Sequence, residues 1–142
     1  MSIETQNRLF PVFLKLENFR VLIVGGGKVG LEKVTAVLIN SPATQLTVVA
    51  REISSELSDF LKMYPDVTVK QREFVNSDLD AIDFLIVAIN DKQKSIAIKE
   101  EAKRRNILAN VADTPEYCDF YLGSIVRKGD LKIAVSTNGK SP

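Results

Sequence analysis

Histidine is absent from this chain, which removes the commonest general base and the commonest transition-metal ligand together. Acid or base chemistry is left to Asp, Glu, Lys, Tyr or Cys. The single cysteine, Cys118, excludes an internal disulfide framework and fits a reducing compartment. With no histidine to activate it, Cys118 reads as a half-buried packing residue rather than a nucleophile. No soft-ligand metal site can be built from these residues, so no metal-binding side chains are expected. Long apolar runs are also missing: none could span a bilayer, and Met1-Ser2-Ile3-Glu4-Thr5-Gln6-Asn7 lacks the basic start and apolar core of a signal peptide. A cytoplasmic protein without a membrane partner is expected. Neither charge sign is in excess, since 19 Lys and Arg against 18 Asp and Glu leave +1, which argues against a dedicated nucleic-acid binder.

What the chain does contain is an apolar run, Arg20-Val21-Leu22-Ile23-Val24, that feeds into Gly25-Gly26-Gly27-Lys28-Val29-Gly30 and then into helical periodicity from Lys28 to Asn40. A bare G-x-G-x-x-G is weak, because glycines cluster in ordinary turns. Between a strand and a helix it predicts a dinucleotide site. Gly25 would allow the tight turn, Gly27 would let backbone amides approach a pyrophosphate, and Gly30 would let the helix pack closely. Lys28 and Val29 open the helix, whose N-terminus offers unpaired N–H groups to phosphates.

The 142 residues fit one α/β unit, in which apolar runs alternate with amphipathic stretches as in a parallel sheet covered by helices on both faces. Phe10 to Leu16 reads as an extended lead-in. Further strands are expected at Leu46–Ala50, Val67–Gln71, Phe84–Ala88 and Ile107–Val111. Helices are expected at Ser54–Met63, with Leu57, Phe60 and Leu61 on one face, and at Lys92–Asn106. The latter should turn Ile96, Ile98 and Ala102 inward and keep its charge run as solvated surface. A short helical turn should follow Asn76-Ser77-Asp78. Gly123–Lys128 and Leu131–Ser136 read as a β-hairpin turning at Gly129-Asp130. Gly139-Lys140-Ser141 invites a P-loop reading, but the required first glycine falls at Ala134.

Four stretches together resemble the precorrin-2 dehydrogenase family, which includes the N-terminal module of siroheme synthase and some bifunctional sirohydrochlorin ferrochelatases. They are Pro11-Val12-Phe13-Leu14-Lys15-Leu16, Gly25 through Lys33, Asn110-Val111-Ala112-Asp113, and Ala134 through Pro142. The motifs come in the family's order over nearly the whole chain. The resemblance implies a Rossmann-like domain over residues 1–113, and a hairpin with the start of a dimerisation and substrate region over residues 114–142. The family's helical dimerisation region, expected after the serine-proline pair, is missing from this sequence. The implied activity is NAD-dependent oxidation of precorrin-2 to sirohydrochlorin, with iron chelation as an added activity in some relatives. A tetrapyrrole substrate and a homodimer are the implied partners.

Within this resemblance Asp113 matches the aspartate used as acid or base. Read from the residues alone, Asp113 follows the strand ending at Val111, at the carboxyl edge where open α/β sheets bind ligands. There it competes with an N-cap or turn aspartate before Thr114-Pro115. Asn90 and Asp91, after the strand Phe84–Ala88, should border the adenine and ribose. Substrate carboxylates need cationic or amide partners, for which Ser124, Arg127, Lys128, Lys132 and Lys140 are candidates. Ser136, Thr137 and Asn138 match the family's polar stretch at the mouth of the site. Many NAD sites carry an acid at the end of the second strand, about 20 residues past the glycines. Here that place reads Val49-Ala50-Arg51-Glu52, where Glu52 would favour NAD and Arg51 a 2′-phosphate. The resembled family favours NAD. Two other classes stay open: a nucleotide-sensing module like the regulatory domains of potassium transporters, and a catalytically silent Rossmann scaffold.

Overall fold

The computed structural model describes residues 6–138. Five parallel strands form one sheet in the order β3-β2-β1-β4-β5: β1 (Arg20–Val24), β2 (Gln45–Val49), β3 (Thr68–Lys70), β4 (Phe84–Val87) and β5 (Leu108–Val111). Every crossover between them carries a helical element, as parallel pairing requires. These are α1 (Lys28–Asn40), α2 (Ser55–Leu61), a 3-10 turn at Asn76–Leu79 and α3 (Lys92–Arg104). An antiparallel hairpin, β6 (Ser124–Lys128) and β7 (Leu131–Val135), forms a second, separate sheet.

Strand alternation divides the core in two. Val21, Ile23, Phe84 and Ile86 point to one face, where Val34, Val37 and Leu38 of α1 and Leu57 and Leu61 of α2 cover them. Leu22, Val24, Leu85 and Val87 point to the other, against Ile98 and Ala102 of α3. Both faces of β1 and β4 are therefore buried, which is why these strands read as unbroken apolar runs.

The expected elements are all present: β1 and α1 have the expected bounds, β2 is shifted one residue toward the N-terminus, the turn expected after Asp78 is formed by Asn76–Leu79 itself, and the other elements end one or two residues short. Ser54 lies outside α2 as its N-cap, its side chain accepting from Leu57 N at 3.1 Å. Phe10 to Leu16 carries no strand pairing, and Leu16 opens a 3-10 turn, Leu16–Asn18. One expectation is corrected in α3. Its inward face is Ser95, Ile98, Lys99 and Ala102, a clean i, i+3, i+4, i+7 stripe, while Ile96 sits at the margin. Lys99 belongs to the charge run assigned to solvent, yet it is 9% exposed and its Nζ donates to Asp119. The buried stem and paired head explain how a lysine occupies a core-facing position.

That ion pair is part of a strip sealing the sheet edge at β5. Asp119 Oδ2 accepts from Ala109 N at 2.9 Å, Asp119 N donates to Ala109 O at 2.7 Å, and Asn110 Nδ2 donates to Phe120 O at 2.9 Å. Such pairing blunts an otherwise open edge. The chain then enters the hairpin, whose two-residue turn starts at Gly129 with φ +57°, a left-handed value suited to glycine. Arg127 Nη1 donates to Ile39 O at 2.9 Å and Lys132 Nζ to Asn40 O at 2.8 Å. Both capture carbonyls at the C-terminal end of α1, which have no helical partner of their own.

Candidate functional site

The turn from β1 into α1 is packed so closely that three of its glycines have no room for a side chain. A Cβ at Gly25 would stand 2.2 Å from Ala88 O, at Gly26 2.2 Å from Glu52 O, and at Gly30 2.5 Å from Gly25 O. Gly25 also holds φ +139°, which only glycine adopts readily. Gly27 differs. A Cβ there would meet nothing within 4 Å, because Gly27 faces an open cleft. It is the N-cap of α1, so the first amides of the helix point to that space without a side chain in the way.

The cleft has a volume of about 870 Å³ and is lined by Gly25, Gly26, Gly27, Lys28 and Val29 on one side and by Asn90 and Asp91 on the other. Arg51 and Glu52 after β2 border it as well. All the expected dinucleotide residues except Gly30 thus line one cavity, and Gly30 acts by letting α1 close on Gly25. Asp91 has a second task as the N-cap of α3, accepting from Lys94 N at 3.1 Å. The cradle fits a pyrophosphate: glycine-lined, open at Gly27, and facing a helix N-terminus.

Asp113 lines this cleft, and with Ala112 it also lines a second cavity of about 300 Å³ on the hairpin side. Its backbone is left-handed, φ +61°, a conformation that aspartate tolerates better than most residues. The turn is held by Ala112 N donating to Val87 O at 2.9 Å and by the Thr114 hydroxyl donating to Ala112 O at 3.2 Å. The N-cap of the next 3-10 turn, Pro115–Tyr117, is Thr114, so Asp113 is not a cap, although it does stand in the turn that the alternative reading also allowed. Its carboxylate is exposed at the junction of the two cavities.

Ser124, Ser136 and Thr137 line the hairpin-side cavity. Asn138 does not; it turns the chain with φ +60°, its N–H donating to Ser136 Oγ at 3.2 Å. Lys140 lies outside the described residues. The expected cations are corrected. Arg127 and Lys132 are committed to the end of α1, and Lys128 does not line the cavity either. The cation that does line it is Lys33, from the second turn of the glycine-motif helix. Its side chain is 18% exposed, and its nearest carboxylate, Glu32, stands 3.6 Å away. Beside it Asn110 is buried, and its Oδ1 has no hydrogen-bond partner among the described residues. Lys33 was legible only as part of a motif, since nothing in α1's spacing says which helix face meets a hairpin more than 90 residues later.

Cys118 also borders this cavity, half-buried, with its Sγ donating to Val111 O at 3.2 Å. Burial pushes its thiol pKa up, which suits packing and not nucleophilic attack. A third cavity of about 290 Å³ adjoins the dinucleotide cleft, with an apolar floor including Val49, Ala50, Phe74 and Ile89 and a rim carrying Arg51, Glu73 and Lys94. Among the described residues no helix is long and apolar enough to cross a membrane.

Comparison with known proteins agrees with this geometry. Residues 12–124 match the model of the family described as "Putative NAD(P)-binding". Siroheme synthase of Thioalkalivibrio sulfidiphilus is 36% identical over 133 residues, covering 94% of this chain and 27% of that protein. Siroheme synthase of Psychrobacter cryohalolentis is 36% identical over 133 residues, 94% of this chain and 25% of that protein. The solved structure of SirC, a precorrin-2 dehydrogenase, superposes with a TM-score of 0.77 at 28% identity, over 94% of this chain and 64% of that one. This chain therefore spans about a quarter of the length of the curated relatives it matches. With the glycine turn, the open cleft over it and a family match that runs from the lead-in to the start of the hairpin, the chain belongs to this NAD(P)-binding family.

Proposed function

We propose that this chain carries out the NAD-dependent oxidation of precorrin-2 to sirohydrochlorin. The observation that carries the reading is the position of Asp113 at the one place where the dinucleotide cleft and the hairpin-side cavity meet. The names of the siroheme synthases and of SirC support it independently. NAD, when bound, supplies the hydride acceptor. The protein's own work is to orient the substrate and to take the proton that leaves with each hydride.

The Asp113 carboxylate is the group available for that proton, since the chain has no histidine and the Cys118 thiol is held protonated by burial. Lys33 meets a substrate carboxylate as a charged partner. The Ser124, Ser136 and Thr137 hydroxyls form the wall opposite. A bare nucleotide sensor has no use for such a polar cavity beyond the nicotinamide end. In this reading residues 1–113 form the nucleotide domain, and residues 114–142 begin a substrate and dimerisation region. The working form is a cytoplasmic homodimer, supported by the uncovered apolar side chains of the hairpin: Ile125, Val126, Leu131, Ile133 and Val135 are 43–59% exposed.

The test is anaerobic incubation of the protein with precorrin-2 and NAD, following sirohydrochlorin and NADH by absorbance. Stoichiometric appearance of both is expected. Tight NAD binding that no tetrapyrrole alters, with neither product formed, would instead identify a nucleotide sensor or a silent scaffold.

A further inference from the structure

The end of β2, where an acid usually reads the adenosine ribose, is Val49-Ala50; a cation, Arg51, follows, and Glu52 comes one residue later still. Taken alone, this would favour a 2′-phosphate. The fold brings a carboxylate to the same spot from elsewhere: Glu73, on the loop after β3. Its Oε1 lies 3.5 Å from Arg51 Nη1 and 3.4 Å from Lys94 Nζ, and all three side chains rim the third cavity, next to the dinucleotide cleft.

Glu73 is presented from an anchored loop. Its neighbour Arg72 grips buried Asp78 through two hydrogen bonds, Nη1 to Oδ2 at 2.9 Å and Nη2 to Oδ1 at 2.7 Å. The same Nη1 donates to the carbonyl of Glu73 itself at 2.9 Å. Asp78 Oδ2 also accepts from Val75 N at 2.9 Å, which ties both sides of Glu73 to one buried carboxylate. A loop held this way keeps the Glu73 backbone in a single arrangement before any ligand arrives.

We propose that Glu73, rather than Glu52, takes the part of the strand-end acid: it accepts from the 2′-hydroxyl of the adenosine ribose, neutralises Arg51 and Lys94, and so selects NAD over NADP. The inference rests on the dinucleotide reading of the cleft and adds to it the residue that chooses the cofactor. A 2′-phosphate would have to sit against the Glu73 carboxylate, and like charges at that distance disfavour it. Once the carboxylate is removed, two cations are left facing the same position and suit a phosphate well.

The experiment is a titration of the protein with NADH and with NADPH, following the fluorescence of the reduced nicotinamide, for the parent, Glu73→Gln, and Glu73→Gln with Arg51→Ala. The parent should prefer NADH. Glu73→Gln should shift the affinity ratio toward NADPH by about tenfold or more, the worth of one hydrogen bond to a charged group together with relief of repulsion. The added Arg51→Ala should reverse most of that gain. Glu73 is largely exposed, and its ion pairs are surface pairs, so the variants should fold like the parent. A parent that prefers NADPH, or a ratio unchanged by Glu73→Gln while both nucleotides still bind, overturns the assignment of Glu73 and leaves the dinucleotide site standing. Failure of the parent to bind either nucleotide overturns the site itself, and the inference with it.

Discussion

At the scale of single residues, the glycines of the β1–α1 turn separate into two kinds that sequence alone makes look alike. Gly27 has open space in front of it, so Gly27→Val should leave the fold intact and abolish dinucleotide binding by filling the pyrophosphate position. Unchanged NADH affinity in a folded Gly27→Val variant would remove the cofactor assignment. Gly25 has a backbone carbonyl 2.2 Å from where its Cβ would be, and φ +139°. Gly25→Ala should therefore destabilise the fold by at least about 1–3 kcal/mol, read by denaturant unfolding. Asp113→Ala removes an exposed carboxylate and should keep both fold and NAD binding. Its single-turnover rate with precorrin-2 should fall by about two to four orders of magnitude, the usual share of a general acid or base. A parental rate would leave substrate orientation as the whole of the catalysis.

At the scale of elements, the loop from β3 to β4 depends on one carboxylate. The Arg72 guanidinium, with help from Val75 N and the Lys70 ammonium, holds the Asp78 carboxyl below the usual carboxylate range, against the opposing effect of burial. Since the folded pKa is depressed, the stabilisation is fully present above the unfolded value and is lost as pH falls through the lower folded one. Unfolding experiments below about pH 4 should thus show a pH dependence that Asp78→Asn flattens. At neutral pH the same substitution should cost about 1–3 kcal/mol, because the single uncharged amide oxygen of Asn cannot serve both Arg72 nitrogens and Val75 N. The strip that seals β5 behaves differently. There Asp119 takes a backbone amide and Lys99 together, so a charge that looked like surface became part of the core-facing stripe of α3.

At the scale of the whole molecule, the apolar side chains of the hairpin and of the lead-in stand uncovered. Phe10 and Phe13 are 86% and 71% exposed, and Leu131, Ile133 and Val135 alternate along one face of β7. A second copy of the chain covering that face would remove both the apolar area and the hairpin's free edge. Ile133→Lys should then shift sedimentation toward a monomer at concentrations where the parent self-associates, with NADH affinity unchanged because Ile133 lines neither cavity. A parent that sediments as a monomer at all concentrations would argue against this face as a contact between subunits.

The nucleotide half of this protein was legible from local pattern. Apolar runs such as Val21–Val24 and Phe84–Val87 fix strands buried on both faces, and Gly25 to Gly30 between a strand and a helix fixes the turn and the phosphate cradle. These are determined over short stretches, by steric limits on φ and by burial period, so no distant residue is needed to read them. The hairpin side was legible only by resemblance: Arg127 and Lys132 sit at plausible sequence positions for a cavity wall, but the hairpin's approach to α1 turns them onto the carbonyls of Ile39 and Asn40. Lys33 lining the hairpin-side cavity, Lys99 turned into the core, and Glu73 beside Arg51 are decided by which elements pack together. Each pairs residues separated by a crossover or more, and one strand register or helix rotation different would bring other side chains there. Chain order does not carry that information. It arises when the parallel sheet forms and brings the ends of β2, β3, β4 and β5 to a common edge.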